Sequence, residues 1–272
     1  MTDVAGAVPA PSWRDHRDAP VDVPPPPGPA DPPFYAPIGD FQGELYRRNA
    51  FALATDAEAG ALVQRLQLGV GSRVLDVGCG DGRHLRALAS RGIAGVGVDI
   101  SAGLVAAARA ASEELAAELT FVVGDARDLA AVPAVRDGGF DAALALCQGG
   151  FGTSPASDPT ILAGMARAVR PGGLVAVTAF SAIFAARHLA PGDAFDPVHL
   201  VHHQTSEVRG PDDAVRAFDL WTAAYTVRDL VRLVADVGLE LVSVDGAEPG
   251  RYDATGTRLE DPELLVVARR PV

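Results

Sequence analysis

The sequence predicts an α/β protein with a doubly wound, largely parallel sheet. Short, nearly continuous apolar runs follow one another from residue 73 onward, and helical patterns lie between them. Strands that are buried on both faces have this apolar character, and alternation of strand and helix is typical of a parallel sheet with helices on both faces. The 272 residues are 48% hydrophobic and 21% charged, which argues against a fibrous or wholly disordered chain.

The predicted elements alternate along the chain. Strands are predicted at 73–79, 95–100, 119–123, 140–146 and 174–180, and helices near 56–67, 83–90, 102–117 and 158–170. The segment Pro171-Gly172-Gly173 is expected to end the last of these helices. A further helix near 226–237 begins at Thr226, with Asp229 placed three residues later as in a capping box, and strands at about 239–245 and 263–269 complete the chain.

Two segments depart from this pattern. Residues 1–33 are rich in proline, which interrupts helices and central strands, so we predict a disordered tail before a folded domain at 34–272. Residues 181–225 lack the repeating pattern and are too long for an ordinary connection. We therefore predict that they form a functional insertion or lid.

The charge and residue usage restrict the partners. A net charge of −12 argues against nucleic acid or an anionic membrane surface as a partner. All 23 basic residues are arginine, which excludes a Schiff-base lysine and a phosphate-loop lysine. Cys79 and Cys147 have no metal or redox spacing, and no apolar run approaches the length of a membrane span. We expect a cytoplasmic protein without a targeting segment.

The sharpest chemical signal is the segment Asp-Val-Gly-Cys-Gly-Asp-Gly at 76–82. A buried strand runs into three alternating glycines and then a helix, which lets a ligand lie against the backbone and the free N–H groups of the helix. A dinucleotide fingerprint requires its third glycine where this chain has Arg83. Asp76 would repel a pyrophosphate and favours a ligand with a cationic amino-acid end.

The next two strand ends extend this site. Asp99 can accept hydrogen bonds from both hydroxyls of a ribose, and the adjacent Ile100 can cover one face of an adenine. Asp125 can accept from an adenine amino group, although a helix cap is the alternative for this carboxylate. Amino-acid end, ribose and base then follow in order across three neighbouring strands.

With these motifs the chain resembles the class I S-adenosylmethionine-dependent methyltransferases, particularly those that act on small molecules. The likeness lies in DVGCGDG at 76–82, GVDIS at 97–101, GDARDL at 124–129 and AVRPGGLVAVTAF at 168–180, and it covers about residues 45–270. It implies a seven-stranded sheet of order 3-2-1-4-5-7-6 with the last strand antiparallel. By position in the matching motifs, Asp76, Gly78 and Gly80 would line the methionine part of the cofactor, Asp99 the ribose, and Asp125 with Ala126 the adenine. The full set of predicted cofactor residues also includes Tyr46, Cys79, Ile100 and Cys147.

The acceptor side is predicted around the end of the fourth strand and in the insertion. Gln148 is expected to shape the pocket near the methyl group. Cys147 is expected to be unreactive, because Leu146 replaces the proline of the Pro-Cys-Gln motif of cytosine C5 methyltransferases. Trp221 and Tyr225 are assigned to the acceptor pocket, with core packing as the alternative. The same alternative applies to Tyr46 and Phe51 as covers of the cofactor.

Three histidines in the insertion are candidates for proton transfer. His199, His202 and His203 lie within eight residues of Asp196, a grouping that suits solvent-facing loop residues, a general base or a metal site. We assign one of the three as the base for an acceptor that must lose a proton, and no metal.

The predicted function is methyl transfer from S-adenosylmethionine to a small-molecule acceptor by in-line displacement. Three alternatives stay open at this point. They are a non-catalytic module that binds the cofactor for regulation, a nicotinamide-dependent oxidoreductase, and a methyltransferase that acts on a macromolecule. The sequence identifies neither the acceptor atom nor the oligomeric state.

Overall fold

The computed structural model describes residues 35–48, 54–115 and 118–272, and strands and helices alternate along them. The predicted tail at 1–33 and Phe51 lie outside the described residues. The strands are β1 Arg73–Val77, β2 Ala94–Asp99, β3 Leu119–Val123, β4 Phe140–Ala145, β5 Val169–Ser181, β6 Ala194–Asp196, β7 Val201–Arg209, β8 Val215–Tyr225, β9 Glu240–Ala247 and β10 Glu263–Arg269. The helices are α1 Tyr35–Gln42, α2 Thr55–Arg65, α3 Arg83–Ala89, α4 Ala102–Ala110, α5 Asp158–Ala168, α6 Ala182–Arg187 and α7 Val227–Asp236.

The main sheet has the strand order β3-β2-β1-β4-β5-β10-β9. Strands β1 to β5 are parallel, and β10 is antiparallel to both β5 and β9. Without the insertion, β9 and β10 are the sixth and seventh strands of the described chain. The predicted order 3-2-1-4-5-7-6 with an antiparallel last strand is therefore confirmed.

Two apolar layers cover the faces of this sheet. Successive side chains of a strand point to opposite faces, so Leu75 and Val77 of β1 join one core cluster while Val74 joins the other. Helices α5 and α7 pack on the first face, and α2, α3 and α4 pack on the second. Among the described residues, no helix combines the length and the apolar character needed to cross a bilayer.

The largest differences from the predicted boundaries concern α4, α5 and β5. Helix α4 ends at Ala110 instead of continuing to residue 117, and α5 ends at Ala168, before Pro171. Strand β5 begins at Val169 and includes the Pro-Gly-Gly segment, with a register shift against β4. Arg270 holds this segment in place, because its carbonyl accepts from the Gly172 amide and its own amide donates to the Gly173 carbonyl, both at 2.9 Å.

The insertion at 181–225 forms strands as well as a helix. It contains α6 and an antiparallel arrangement of β6, β7 and β8, and the end of β8 continues the main sheet by parallel pairing of Phe180 with Ala224 and Ser181 with Tyr225. Helix α7 follows directly. Its capping box is confirmed, because the Thr226 side chain accepts from the Asp229 amide and the Asp229 carboxylate accepts from the Thr226 amide.

Candidate functional site

The loop after β1 is a tight glycine turn that meets the loop after β4. Gly78, Gly80 and Gly82 have φ values of +73°, +54° and +75°, which side chains with a Cβ rarely adopt. A Cβ on Gly78 would lie 2.0 Å from the carbonyl carbon of Gly149. The two loops therefore touch backbone to backbone, and this contact joins the strand ends of β1 and β4.

Asp76 and Cys79 are buried beside the glycine turn. The Asp76 Oδ2 atom has no hydrogen-bond partner among the described residues. Burial raises the pKa of Asp76 to about 7, and the Arg83 guanidinium only partly opposes this effect. Cys79 lies under Gly97, and burial raises its pKa well above the usual value, so it is a packed thiol. An unpartnered carboxyl oxygen at this place suits a cationic amino group.

Asp99 connects the end of β2 with the glycine turn. Its Oδ2 accepts from the Gly80 amide at 2.8 Å, and its Oδ1 accepts from the Ser101 amide at 2.9 Å. Burial raises the pKa of Asp99, while these amides lower it. Each carboxylate oxygen has a second lone pair, so the side chain can hold the turn and still accept from a ligand hydroxyl.

A crevice brings together several of the predicted cofactor residues. Asp125 begins the 3₁₀ turn at Ala126–Ala131, and its Oδ1 accepts from the Arg127 amide at 2.9 Å and from the Arg127 Nε at 2.8 Å. Asp125 therefore caps this turn, and the same carboxylate lines the crevice. The predicted residues that line it are Gly78, Asp99, Ile100, Asp125 and Ala126.

A charged network under the glycine turn was not found from the sequence. The Arg83 guanidinium lies 2.6 Å from Glu58 and 2.7 Å from the Thr55 hydroxyl, and it donates to the Cys147 sulfur at 3.1 Å. Glu58 also contacts the buried His84 ring at 2.9 Å. Burial alone would raise the pKa of Glu58, but His84 and Arg83 bring it to about 2. Arg83 thus links α2, the glycine turn and the end of β4.

A groove of about 1160 Å³ lies beside the glycine turn. Helix α1 and the following 3₁₀ turn form one wall, and the β7–β8 hairpin forms another. Tyr46 connects this groove with the turn, because its ring lies 3.3 Å from the position of a Cβ on Gly80. The lining residues include Ile38, Phe41, Tyr46, Cys147, Gln148, Phe180, Gln204, Ser206, Val208, Leu220, Thr222 and Glu263.

Helix α1 bridges the cofactor side and the hairpin. Asp40 accepts from the Ser101 hydroxyl at 2.6 Å and from the Gly103 amide at 3.0 Å, at the start of α4. The adjacent Phe41 packs against Gly210, and the Arg216 guanidinium lies over its ring at 4.5 Å. The helix therefore covers the groove between its two sides.

Cys147 and Gln148 form the floor of the groove next to the loop after β4. Both have left-handed backbone conformations, with φ values of +54° and +55°. Burial raises the pKa of Cys147 to about 12 although Arg83 lowers it, so the thiol is protonated at neutral pH. The Gln148 amide nitrogen is buried without a hydrogen-bond partner in the described structure.

Glu263 is a second buried group on this floor and was not predicted from the sequence. It begins β10, pairs with Phe180 and is 7% exposed. Its Oε2 has no hydrogen-bond partner among the described side chains and backbone groups. Burial raises the pKa of Glu263 to about 7, and the neighbouring Gln148 lowers it by less. The signal in the sequence that could have identified it is Glu263 itself, a charged side chain at the start of an otherwise apolar strand.

The three histidines of the insertion each pair with a different aspartate. His199 Nδ1 lies 2.6 Å from Asp196, His202 Nε2 lies 2.9 Å from Asp193, and His203 Nε2 lies 3.2 Å from Asp219. None of the histidines is among the described residues that line the groove. In the part of the chain that the structure describes, no three His, Cys, Asp or Glu side chains are grouped to hold a metal.

The two aromatic residues assigned to the acceptor pocket lie apart from the groove. Trp221 stacks on His203 with ring centroids 4.7 Å apart. Tyr225 donates to Asp158 at 2.6 Å and stacks on Phe151, which belongs to the core. The crevice therefore brings five of the ten predicted cofactor residues together, while Tyr46 and Cys147 line the groove. Of the predicted acceptor residues, only Gln148 lines the groove.

Comparisons with known proteins agree with this fold. Residues 74–173 match the family model described as a methyltransferase domain. The chain is similar to the CcbJ methyltransferase from Streptomyces caelestis, with 18% identity and a TM-score of 0.70 over 86% of this chain and 98% of that chain. It is also similar to an S-adenosylmethionine-dependent methyltransferase from Clostridium acetobutylicum, with 15% identity and a TM-score of 0.61 over 88% and 98%. For CalS10 from Micromonospora echinaspora the identity is 21% and the TM-score 0.54, over 82% and 93%.

Proposed function

We propose that this chain, a class I S-adenosylmethionine-dependent methyltransferase by its domain and fold, transfers the methyl group to a small molecule held in the groove. The observation that carries the proposal is the junction of the groove with the glycine turn. Tyr46 and Gln148 line the groove at the two places where it meets the turn, through Gly80 and Gly149. An acceptor in the groove would therefore lie beside the cofactor loop.

The residues of the crevice and the turn fit S-adenosylmethionine. The unpartnered Asp76 oxygen suits its ammonium group, the glycines leave room against the backbone, and Asp99 has lone pairs for the ribose. Ile100 and Asp125 would flank the adenine. When bound, this cofactor supplies a methyl group on a positively charged sulfur, which needs no further activation.

The chain's own contribution is to align the acceptor and to exclude water. The rigid Gly78–Gly149 contact fixes the distance between the cofactor loop and the floor of the groove. Helix α1 covers both the cofactor loop and the floor of the groove, since Asp40 binds the start of α4 while Phe41 packs on the hairpin. Alignment and desolvation of this kind account for much of the acceleration in transfer reactions.

A small acceptor is consistent with the groove and with a structural neighbour. The groove is bordered by α1 and the hairpin, and its volume of about 1160 Å³ is large enough to hold a small ligand. CalS10, which shares the fold, is described as an amino pentose methyltransferase. The net charge of −12 disfavours a nucleic-acid acceptor.

A matched pair of variants on β7 tests the proposal. Ser206 lines the groove, whereas Thr205 is exposed on the opposite face of the same strand. Ser206→Trp should abolish transfer of a trideuteromethyl label from S-adenosylmethionine into metabolites of a cell extract, and Thr205→Trp should not. Calorimetry should show unchanged cofactor binding in both variants.

Other outcomes would contradict the proposal in distinct ways. Binding of S-adenosylmethionine with no label transferred by the wild-type protein would indicate a non-catalytic binding module. Binding of NADH without binding of S-adenosylmethionine would indicate a nicotinamide enzyme. Equal loss of transfer in the two tryptophan variants would mean that the acceptor does not occupy the groove.

A further inference from the structure

The groove has an acidic lining. Of the described residues that line it, five are acidic and Arg209 alone is basic. The Arg209 guanidinium already lies 3.4 Å from Asp213. An anionic ligand would meet like charges in this groove, whereas a cation would be attracted. The acidic residues are Asp40, Glu207, Asp212, Asp213 and Glu263.

Glu263 differs from the other four because it is buried at the floor, where its Oε2 has no donor in ordinary hydrogen-bond geometry among the described residues, although the adjacent Gln148 side chain lies near enough to lower its pKa. The nearby cation, Arg83, is bonded to Glu58 at 2.6 Å and to Thr55 at 2.7 Å. A buried carboxyl oxygen without a donor is costly, so a ligand that supplies an N–H group there would gain a strong hydrogen bond. The titratable and charged groups that act on Glu263 are Glu58, Arg83, Cys147 and Tyr252.

From these observations we propose that the acceptor of this methyl transfer is a cationic amine with an apolar body, and that Glu263 binds its ammonium group and removes the proton. This inference rests on the function proposed above and specifies its substrate class. The apolar body would lie against the other lining side chains, which include Ile38, Phe41, Phe180, Val208 and Leu220.

The proton transfer gives Glu263 a defined place in the reaction. An ammonium nitrogen has no free electron pair, so one proton must leave before the nitrogen attacks. Burial raises the pKa of Glu263 to about 7, which makes it a stronger base than an exposed glutamate. The nitrogen then forms its bond to the methyl carbon, the methyl–sulfur bond breaks, and its electron pair stays on sulfur. Glu263 releases the proton to water afterwards.

Binding of three matched probes tests the inference without the cofactor. The probes are 2-phenylethylamine, 2-phenylethanol and phenylacetate, which share a body and differ in charge. The wild-type protein should bind the amine at least about tenfold more tightly than the alcohol, and the acid least, as expected for one hydrogen bond to a charged group. Glu263→Gln should remove this preference without changing the affinity for the alcohol.

Glu240→Gln is the matched control. Glu240 lies exposed on β9, at the opposite end of the β9–β10 hairpin, where it faces Arg269 across the strands. It should retain the full preference for the amine. For the wild-type protein the affinity for the amine should rise between pH 6 and pH 8, as Glu263 ionises, and this rise should be absent in Glu263→Gln. Equal binding of the amine and the alcohol, or an amine preference that survives Glu263→Gln, would overturn the inference.

Label transfer separates failure of the inference from failure of the proposed function. With trideuteromethyl-labelled cofactor and a cell extract, the label should appear on nitrogen in metabolites retained by a cation exchanger. Label recovered only in neutral or anionic metabolites would overturn the amine inference and leave the methyltransferase function intact. No label in any small molecule, despite cofactor binding, would overturn the function itself and the inference with it.

Discussion

The contact between the glycine turn and the loop after β4 leads to a quantitative prediction. A Cβ on Gly78 would lie 2.0 Å from the Gly149 carbonyl carbon, whereas ordinary contact begins at 3.4 Å. Gly78→Ala must therefore displace backbone by roughly 1.4 Å, and the alanine must also adopt a φ of about +73°. The substitution adds two costs, left-handed strain and a backbone collision.

Gly238 separates these two costs. It has a φ of +78°, and no atom lies within 4 Å of the position of its Cβ. Gly238→Ala should lower the free energy of unfolding by about 1–2 kcal/mol from strain alone. Gly78→Ala should lose that amount and about 2–3 kcal/mol more, because the surrounding backbone is closely packed.

Urea unfolding of the two variants measures the difference, and calorimetry with S-adenosylmethionine measures its effect on the site. Gly78→Ala should weaken cofactor binding, since the turn must move away from the floor of the groove, while Gly238→Ala should leave it unchanged. Equal free energies of unfolding for the two variants would refute the argument. Unchanged cofactor affinity in Gly78→Ala would show that the turn does not hold the ligand.

Three further predictions concern buried carboxylates. Asp99→Ala should weaken cofactor binding by about 1–3 kcal/mol in calorimetry, and an unchanged affinity would place the ribose elsewhere. Glu58→Gln should lower the free energy of unfolding by about 3 kcal/mol at pH 7, because Arg83 loses its buried partner. The pKa of Glu58 is lowered from 4.5 to about 2, so this stabilisation is present above pH 4.5 and should be lost as the pH falls towards 2. Burial raises the pKa of Asp158 from 3.8 to about 7, so the protonated form favours the folded state, and this contribution to the free energy of unfolding is lost as the pH rises towards 7. Above that pH the Tyr225 hydroxyl donates a hydrogen bond to the charged carboxylate and stabilises it. Tyr225→Phe should therefore cost about 1–3 kcal/mol at pH 8 and less at pH 5, and a cost that does not vary with pH would contradict this account.

Much of the fold was predictable because its signals are local. Each buried strand is an apolar run, and three of the four connections between the parallel strands β1 to β5 carry an α-helix, so the order of elements follows from the chain itself. The residues at which helices and strands begin and end were harder to predict than their order. The Pro-Gly-Gly segment that should end α5 belongs to β5 because Arg270, about a hundred residues later, holds it by backbone hydrogen bonds.

The insertion shows why strand β7 could not be predicted from the alternation of apolar and polar residues. Along β7, Gln204, Ser206 and Val208 line the groove, and the exposed Glu207 lines it as well, while Thr205 is exposed and outside the lining. The groove-lining residues Gln204 and Ser206 are polar, as is Thr205 between them, so the alternation of side chains carries no contrast in hydrophobicity there. The segment therefore has no regular hydrophobic pattern in sequence, although its backbone is a regular hairpin.

The proposed cofactor half of the site and the proposed acceptor half differ in the same way. The first lies on three successive strand ends, where Asp76, Asp99 and Asp125 each come at the end of an apolar run and can be recognised one at a time. The proposed acceptor half is assembled from segments that are distant in sequence. Glu263 therefore joins it only in the folded chain, where β10 pairs with β5 and Glu263 lines the groove together with Gln148. The three histidines were candidates for a general base because they are close together in sequence, yet each pairs with its own aspartate and none lines the groove. Closeness in sequence is thus a poor guide to an acceptor site, whereas a carboxylate that opens a buried strand at the ligand edge of a sheet is a specific feature to test.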